Sequence, residues 1–380
     1  MPLSRPCSEC FDVHEDVKDL HHPVFTVKFR LNSVATLDSI SSVGSVKLPQ
    51  IKVLGTGGTI AAKGSTAFQT AGYHVDLTIE DLISSIPDLS QTCDLQFEQV
   101  CNLDSKEITN TELLQLRNKV QEAIYQYDGV VITHGTDSCE ETSFFLDSTI
   151  DTLGKPVVIC GSMRPSTSVS ADGPSNLYQA CVVASHKASW GRGILVTLND
   201  KIGSGYYISK TDANSLDTFK SLGSGYLGNF VNGEVHYYFP PQRPTGLRYF
   251  QLPLGFAGPL SNVMIFYAHQ GFTADIVKLA VANMNVHGIV IATMGSGSLP
   301  DASNAALGDL SAQKHLPIIY CKRSTDGMVP IGSMPKSNNS FLVAGGYLNP
   351  QKARILLQLC LHENMDIRLI RRVFSGVYGG

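Results

Sequence analysis

Short apolar runs recur along the chain, and each gives way to a longer stretch of helical period. Residues 51–54, 129–133, 156–160 and 193–198 are almost continuously apolar, as expected of strands buried on both faces. Between them, residues 109–126, 137–150 and 173–189 carry helix-like patterns, with a shorter one at 79–86. Strands alternating with helices predict an α/β fold, a parallel sheet with helices on both faces. Residues 200–240 change character to Gly, Tyr and Asn, which reads as short hairpins, with Asn232-Gly233 as a turn. A proline-rich stretch follows, and then a smaller α/β unit. Its strands are expected near 262–267, 288–293 and 316–321, its helices near 274–284, 302–313 and 350–361, with a short amphipathic helix at the end. The organisation read from this pattern is an extension over 1–48, an N-terminal domain over 49–240, a linker over 241–260 and a C-terminal domain over 261–380.

Composition narrows the function classes. Of 380 residues, 43% are hydrophobic, enough for a large core or two. Charged residues are 16% and net charge is −4, without a Lys/Arg-rich run, which disfavours a nucleic-acid partner. No apolar run reaches the roughly 18 residues that would suggest a membrane span. The N-terminus has acids and histidines where a signal peptide carries its apolar stretch, and the nine cysteines are odd in number. Both features predict a cytoplasmic protein with reduced thiols. Cys7 and Cys10 have metal-ligand spacing, but no second pair completes a site.

Two turns carry the candidate chemistry. In an open parallel sheet, ligands sit beyond the carboxyl ends of the strands. "GTGGTI", 55–60, lacks the third glycine of the dinucleotide fingerprint and the Gly-Lys pair of a phosphate loop. What remains is glycines flanking Thr59 directly after a strand. Such a turn can present a nucleophilic hydroxyl among backbone N–H groups, or it can be a tight strand-to-helix turn and nothing more. In "HGTDSCEET", 134–142, Asp137 stands three residues before Glu140, a carboxylate variant of a helix capping box. A carboxylate at the mouth of a sheet can also bind a substrate ammonium, and Thr136 adds a hydroxyl. After the third strand, "GSMRPSTSVSADGPSNLYQA", 161–180, forms a loop and a helix entry. Lys187 falls near that helix's end, where a cation suits the helix dipole.

"TGGTIA", "HGTDSCEET" and "GSMRPSTSVSADGPSNLYQA", together with "LNPQKARILLQL" at 348–359, resemble the bacterial-type L-asparaginase/glutaminase family in the expected order, from about residue 50 to about 375. The resemblance implies hydrolysis of a side-chain amide, L-asparagine first, without a metal or organic cofactor. It implies Thr59 as nucleophile, Thr136 as a second threonine, and Asp137 with Lys187 as a hydrogen-bonded relay. Tyr73 is the nearby match to the family's mechanistic tyrosine. Ser105 matches the serine that holds the substrate's α-carboxylate, with Asp137 on its ammonium. The family's assembly implies a homo-oligomer, a dimer of dimers. Lys106 departs from the pattern, where the family has Gln, Asp or Glu; its charge would either strengthen binding of the same carboxylate or point to solvent. "DGMVPIGSMPKSNNS" lacks the glutamate that secreted bacterial members contribute from a neighbouring subunit. His269, in "YAHQGF", stands where those members have an asparagine-containing loop. A glutamine or other amide hydrolase and a non-catalytic amino-acid sensor are the alternatives.

Overall fold

The computed structural model describes residues 47–380 except 71, 73, 87–88, 337–340 and 377–380. Cys7, Cys10, nearly all of the 1–48 extension, and Tyr73 lie outside the described residues.

The larger part begins with β1 (Gln50–Gly57) and a small ribbon of β2 (Ala62–Lys63) and β3 (His74–Val75). Then come α1 (Ile79–Ser84), β4 (Asp94–Leu103), α2 (Asn110–Gln126), β5 (Gly129–Thr133), α3 (Cys139–Thr149) and β6 (Val157–Cys160). It continues with α4 (Gly173–Ser185), β7 (Ile194–Leu198), β8 (Lys201–Ser204), β9 (Ser209–Lys210), β10 (Phe219–Lys220), β11 (Gly228–Val231) and β12 (Glu234–Tyr237). Eight of these strands form one sheet in the order β12-β11-β8-β7-β6-β5-β1-β4. The five from β7 to β4 are parallel, and the β7–β8–β11–β12 side is antiparallel. Every residue of β5, β6 and β7 is buried, which is why their sequences are mostly Val, Ile and Leu.

The smaller part is a four-stranded parallel sheet, β13 (Val263–Tyr267), β14 (Gly288–Thr293), β15 (Ile318–Lys322) and β16 (Leu342–Ala344) in sequence order. Its helices are α5 (Asp275–Asn283), α6 (Asp301–Lys314), α7 (Pro350–His362) and α8 (Ile367–Gly376). The architecture is thus the expected α/β fold, a large mostly parallel sheet followed by a smaller one. The segment 238–262 forms no helix or strand. It is tied down by buried Phe250 and by the Arg117 guanidinium, which donates to the carbonyls of Leu252 (2.7 Å) and Pro253 (3.2 Å).

One hydrophobic cluster joins the two sheets. Phe144, Phe145 and Leu146 of α3 pack in it with Leu356, Leu357 and Leu359 of α7, and it reaches Val290 and Ile319 of the small sheet. The other face of the large sheet is filled separately by α1 and α4, through Ile79, Leu82, Leu177 and Val183.

β4 carries no apolar run and was not anticipated by the pattern. It is the edge strand beside β1, with Glu98 paired to Lys52 (3.2 Å) and Lys119 (2.8 Å), so polar residues suffice there. The Asn232-Gly233 turn holds as read. Both residues have positive φ, 51° and 84°, between paired Val231 and Glu234.

Candidate active site

The site is built where neighbouring strands β4, β1, β5 and β6 end. Gly58, at φ 82°, opens a single 3₁₀ turn, Thr59–Ala61, directly after β1. A Cβ on Gly58 would lie 2.3 Å from the backbone of Gly135, and one on Gly135 would lie 2.6 Å from the Ser105 side chain. A Cβ on Gly161 would meet the His134 carbonyl at 2.4 Å. These glycines therefore let four turns touch backbone to backbone. Thr56 Oγ1 donates to the Thr133 carbonyl at 2.8 Å and pins the end of β1 to that of β5. Thr59, Ser105 and Thr136, all buried, thus stand on three separate turns that touch one another.

His134 supports the β5 turn from below. Its Nδ1 lies 2.7 Å from the Gly135 carbonyl, so that nitrogen carries the proton, and Nε2 accepts from the Thr142 hydroxyl at 3.0 Å. Complete burial holds the ring neutral and draws its pKa down to about 4.

Asp137 does not cap α3. The capping residue is Ser138, with no side-chain cap bond, and the Ser138 hydroxyl instead donates to the Ser105 carbonyl at 2.8 Å. The Asp137 N–H donates to Ser105 Oγ at 3.2 Å. Its carboxylate is drawn away from the helix by Lys210, whose Nζ lies 2.6 Å from Asp137 Oδ1. The same Nζ donates to Thr136 Oγ1 at 3.0 Å.

This corrects the lysine. Lys187 does not meet Thr136 or Asp137; it sits in the turn after α4 with its ammonium 4.5 Å from the Trp190 ring centroid. The physical reason is topological. α4 leaves the carboxyl end of β6 and runs back, so its last turn lies beside the start of β5, where a Cβ on Gly129 would be 2.7 Å from the Ala184 carbonyl. A lysine there is at the wrong edge of the sheet. Lys210 lies in β9, in the Gly/Tyr/Asn-rich stretch whose irregular pattern gave no hint of which side chain turns inward.

Lys106 pairs with Asp104 at 3.2 Å and is largely exposed. That hydrogen bond holds its pKa up, with Asp137 a weaker contributor. Glu140, in the first turn of α3, is buried, and its Oε2 accepts the Lys210 N–H at 3.0 Å. Burial raises its pKa, opposed first by Lys352. His269 is exposed on its loop, its ring edge-on to Phe272.

The arrangement can hold a small zwitterion. The outer part of the Asp137 carboxylate is open to a cation, and Ser105 keeps a hydroxyl proton to donate to an anion. Lys210 polarises the Thr136 hydroxyl, and Thr59 opens the 3₁₀ turn directly after β1.

Comparison with known proteins shows the family. The family model for Asparaginase, N-terminal, matches residues 50–243, and that for the Glutaminase/Asparaginase C-terminal domain matches 262–374. The chain is 44% identical to L-asparaginase 2-3 of Saccharomyces cerevisiae, over 96% of this chain and 100% of that one. Such coverage means the likeness to the yeast protein runs into the first 48 residues, beyond the start of the motif resemblance. It is 36% identical to L-asparaginase 2 of Escherichia coli, over 91% of this chain and 99% of that one. A crystal structure of a probable cytoplasmic L-asparaginase from Campylobacter jejuni matches with a TM-score of 0.80 at 35% identity, covering 86% of this chain and 99% of that one. On these matches to both halves, the chain belongs to the asparaginase family.

Proposed function

We propose that the chain hydrolyses the side-chain amide of L-asparagine, giving L-aspartate and ammonia, with Thr59 as nucleophile. The observation that carries this reading is the contact between the turns after β1 and β5. Thr59 follows Gly58 on one of these turns, and Thr136 and Asp137, both bonded to Lys210, follow Gly135 on the other, which supports a shared site. Asp137 holds the substrate ammonium, and Ser105 with Lys106 holds its α-carboxylate. The amide carbon then faces Thr59. Attack forms the Thr59 Oγ1–carbon bond, and the hydroxyl proton passes to the leaving amine as the C–N bond breaks. Water hydrolyses the resulting ester. A threonine hydroxyl attacks poorly unless its proton has somewhere to go, which is the part given to Thr136 and Lys210.

The same reading includes a homo-oligomer, a dimer of dimers. Ile265 and Tyr267 on edge strand β13, and Ile276 and Leu279 on α5, are large apolar side chains left exposed, which supports it. A cytoplasmic location is supported by the seven described cysteines, all free thiols. Among the described residues, no helix is long and apolar enough to cross a membrane.

The test is ammonia release from L-asparagine and L-glutamine by the purified chain. Release from asparagine, with less from glutamine, is expected. Saturable asparagine binding without ammonia would replace this reading with the sensor.

A further inference from the structure

The segment that delivers Lys210 is gripped from the small sheet. Asn349 caps α7, and its side-chain amide donates to Glu140 Oε1 (3.4 Å) and to Ser209 Oγ (3.3 Å). Three residues on, Lys352 Nζ donates to the carbonyls of Tyr206 (2.7 Å) and Ile208 (2.5 Å). Glu140 takes the Lys210 N–H from the other side. Two helices, α3 and α7, thus hold residues 206 to 210 by main-chain hydrogen bonds. Tyr206, Tyr207, Ser209, Lys322 and Lys352 also line a cavity of about 360 Å³, so close packing does not fix the segment on that side.

A buried ammonium is an expensive way to hold two carbonyls. Lys352 is 3% exposed, and burial draws its pKa down to about 8, opposed first by the Glu140 carboxylate. A methionine of similar length would fill the same space without desolvating a charge. The lysine adds two directional bonds and a cation facing the buried Glu140 carboxylate.

We propose that Lys352 is a positioning residue for Lys210: by holding the carbonyls of Tyr206 and Ile208, it sets where the Lys210 ammonium meets Thr136 and Asp137. The small sheet then bears on the reaction through the lysine's placement and not through contact with substrate. This rests on the asparaginase reading, in which Lys210 serves proton movement.

The experiment is a double-mutant cycle on asparagine turnover in the full chain, with Lys352→Met, Lys210→Met and the pair. A displacement of about 1 Å at a catalytic group can cost about a hundredfold in rate, so Lys352→Met should lower kcat by about ten- to a hundredfold. KM should stay within about threefold, because substrate does not touch Lys352. In the Lys210→Met background, the further loss should be less than about twofold, since a misplaced lysine that is already absent costs nothing more. Should Lys352→Met fail to fold, Asn349→Ala releases Glu140 and Ser209 without altering a buried charge, and the same non-additivity is expected with a smaller loss. Equal fractional losses in both backgrounds, or an unchanged kcat in a folded variant, would overturn the proposal. An unmodified chain that releases no ammonia would instead overturn the asparaginase reading itself, a distinct result.

Discussion

The two sheets follow the same parallel plan but use their strand ends differently. In the large sheet, the turns after β4, β1, β5 and β6 are pressed together on glycine, and they expose hydroxyls and a carboxylate to one another. In the small sheet the ends differ among themselves: a Cβ on Gly345, after β16, would lie 2.5 Å from Cys321 Sγ, but the turn after β14 is open. Gly295, after β14, has a positive φ of 64°, yet a Cβ there would meet its nearest neighbour, Ser298 Oγ, at 4.0 Å. Close approach in the large sheet gathers hydroxyl-bearing turns, while the small sheet contributes a helix that holds residues 206 to 208 by their carbonyls. Parallel topology alone does not set the two apart; the side chains carried on the crowded turns do.

Removing the hydroxyls is the strongest way to break that contrast. Thr59→Ala and Thr136→Ala should each lower kcat by about a thousandfold or more, with the melting temperature nearly unchanged, as ammonia assays and thermal melts would show. If either keeps near-native kcat, its assigned role is wrong. The two edges of the large sheet are compared next. Lys210→Met should cost about a hundredfold or more in kcat, whereas Lys187→Met should stay within about twofold, because only the first lies at the carboxyl ends of the strands. The reverse result would restore the sequence-based assignment.

The glycines sharpen the contrast in stability terms. Gly58→Ala forces a Cβ against Gly135 at an unfavourable φ and should destabilise the fold by about 2–4 kcal/mol in denaturant melts. Gly295→Ala, strained but uncrowded, should cost about 1 kcal/mol. Similar costs would mean the turns relax freely.

Acid tests the buried base of the β5 turn. His134 titrates near 4 when folded, against an ordinary 6.5, so the unfolded chain takes up the proton first as pH falls. Stability is unaffected above about 6.5, declines below it, and this contribution is fully lost near 4, a cost of about 3 kcal/mol. His134→Gln should flatten the part of the slope between about 6.5 and 5, where few carboxylates titrate. The smallest effect is expected at Lys106→Gln, which should change KM a few-fold while kcat holds. An unchanged KM would leave Lys106 as a solvent-facing partner of Asp104.

Much of this was legible in the sequence because burial writes itself into pattern. β5, β6 and β7 are buried on both faces, so their apolar runs were unmistakable, and Asn232-Gly233 announced a hairpin by its backbone needs. β4 was not legible, since an edge strand can remain half polar. Asp137 followed the spacing of a cap, but its carboxylate answered to a lysine distant in the chain, and local spacing carries no record of such a partner. Lys187 had one warning in the sequence. A helix that follows a parallel strand must run back, and its end cannot reach the turns at the strand tops. Nothing comparable marked Lys210, whose inward course depends on α3 and α7 together.

The cluster that joins α3 to α7 also sets the order of events in the life of the chain. Synthesis runs from the N-terminus, so the hydroxyl-bearing turns of the large sheet emerge long before Lys352. Until α7 arrives and closes that cluster, the Lys210 segment lacks two of its anchors, and the large sheet lacks part of its cover. On the proposed reading, a nascent or truncated chain would hold Thr59 without a placed lysine, so activity would appear late and all at once, with the last helices.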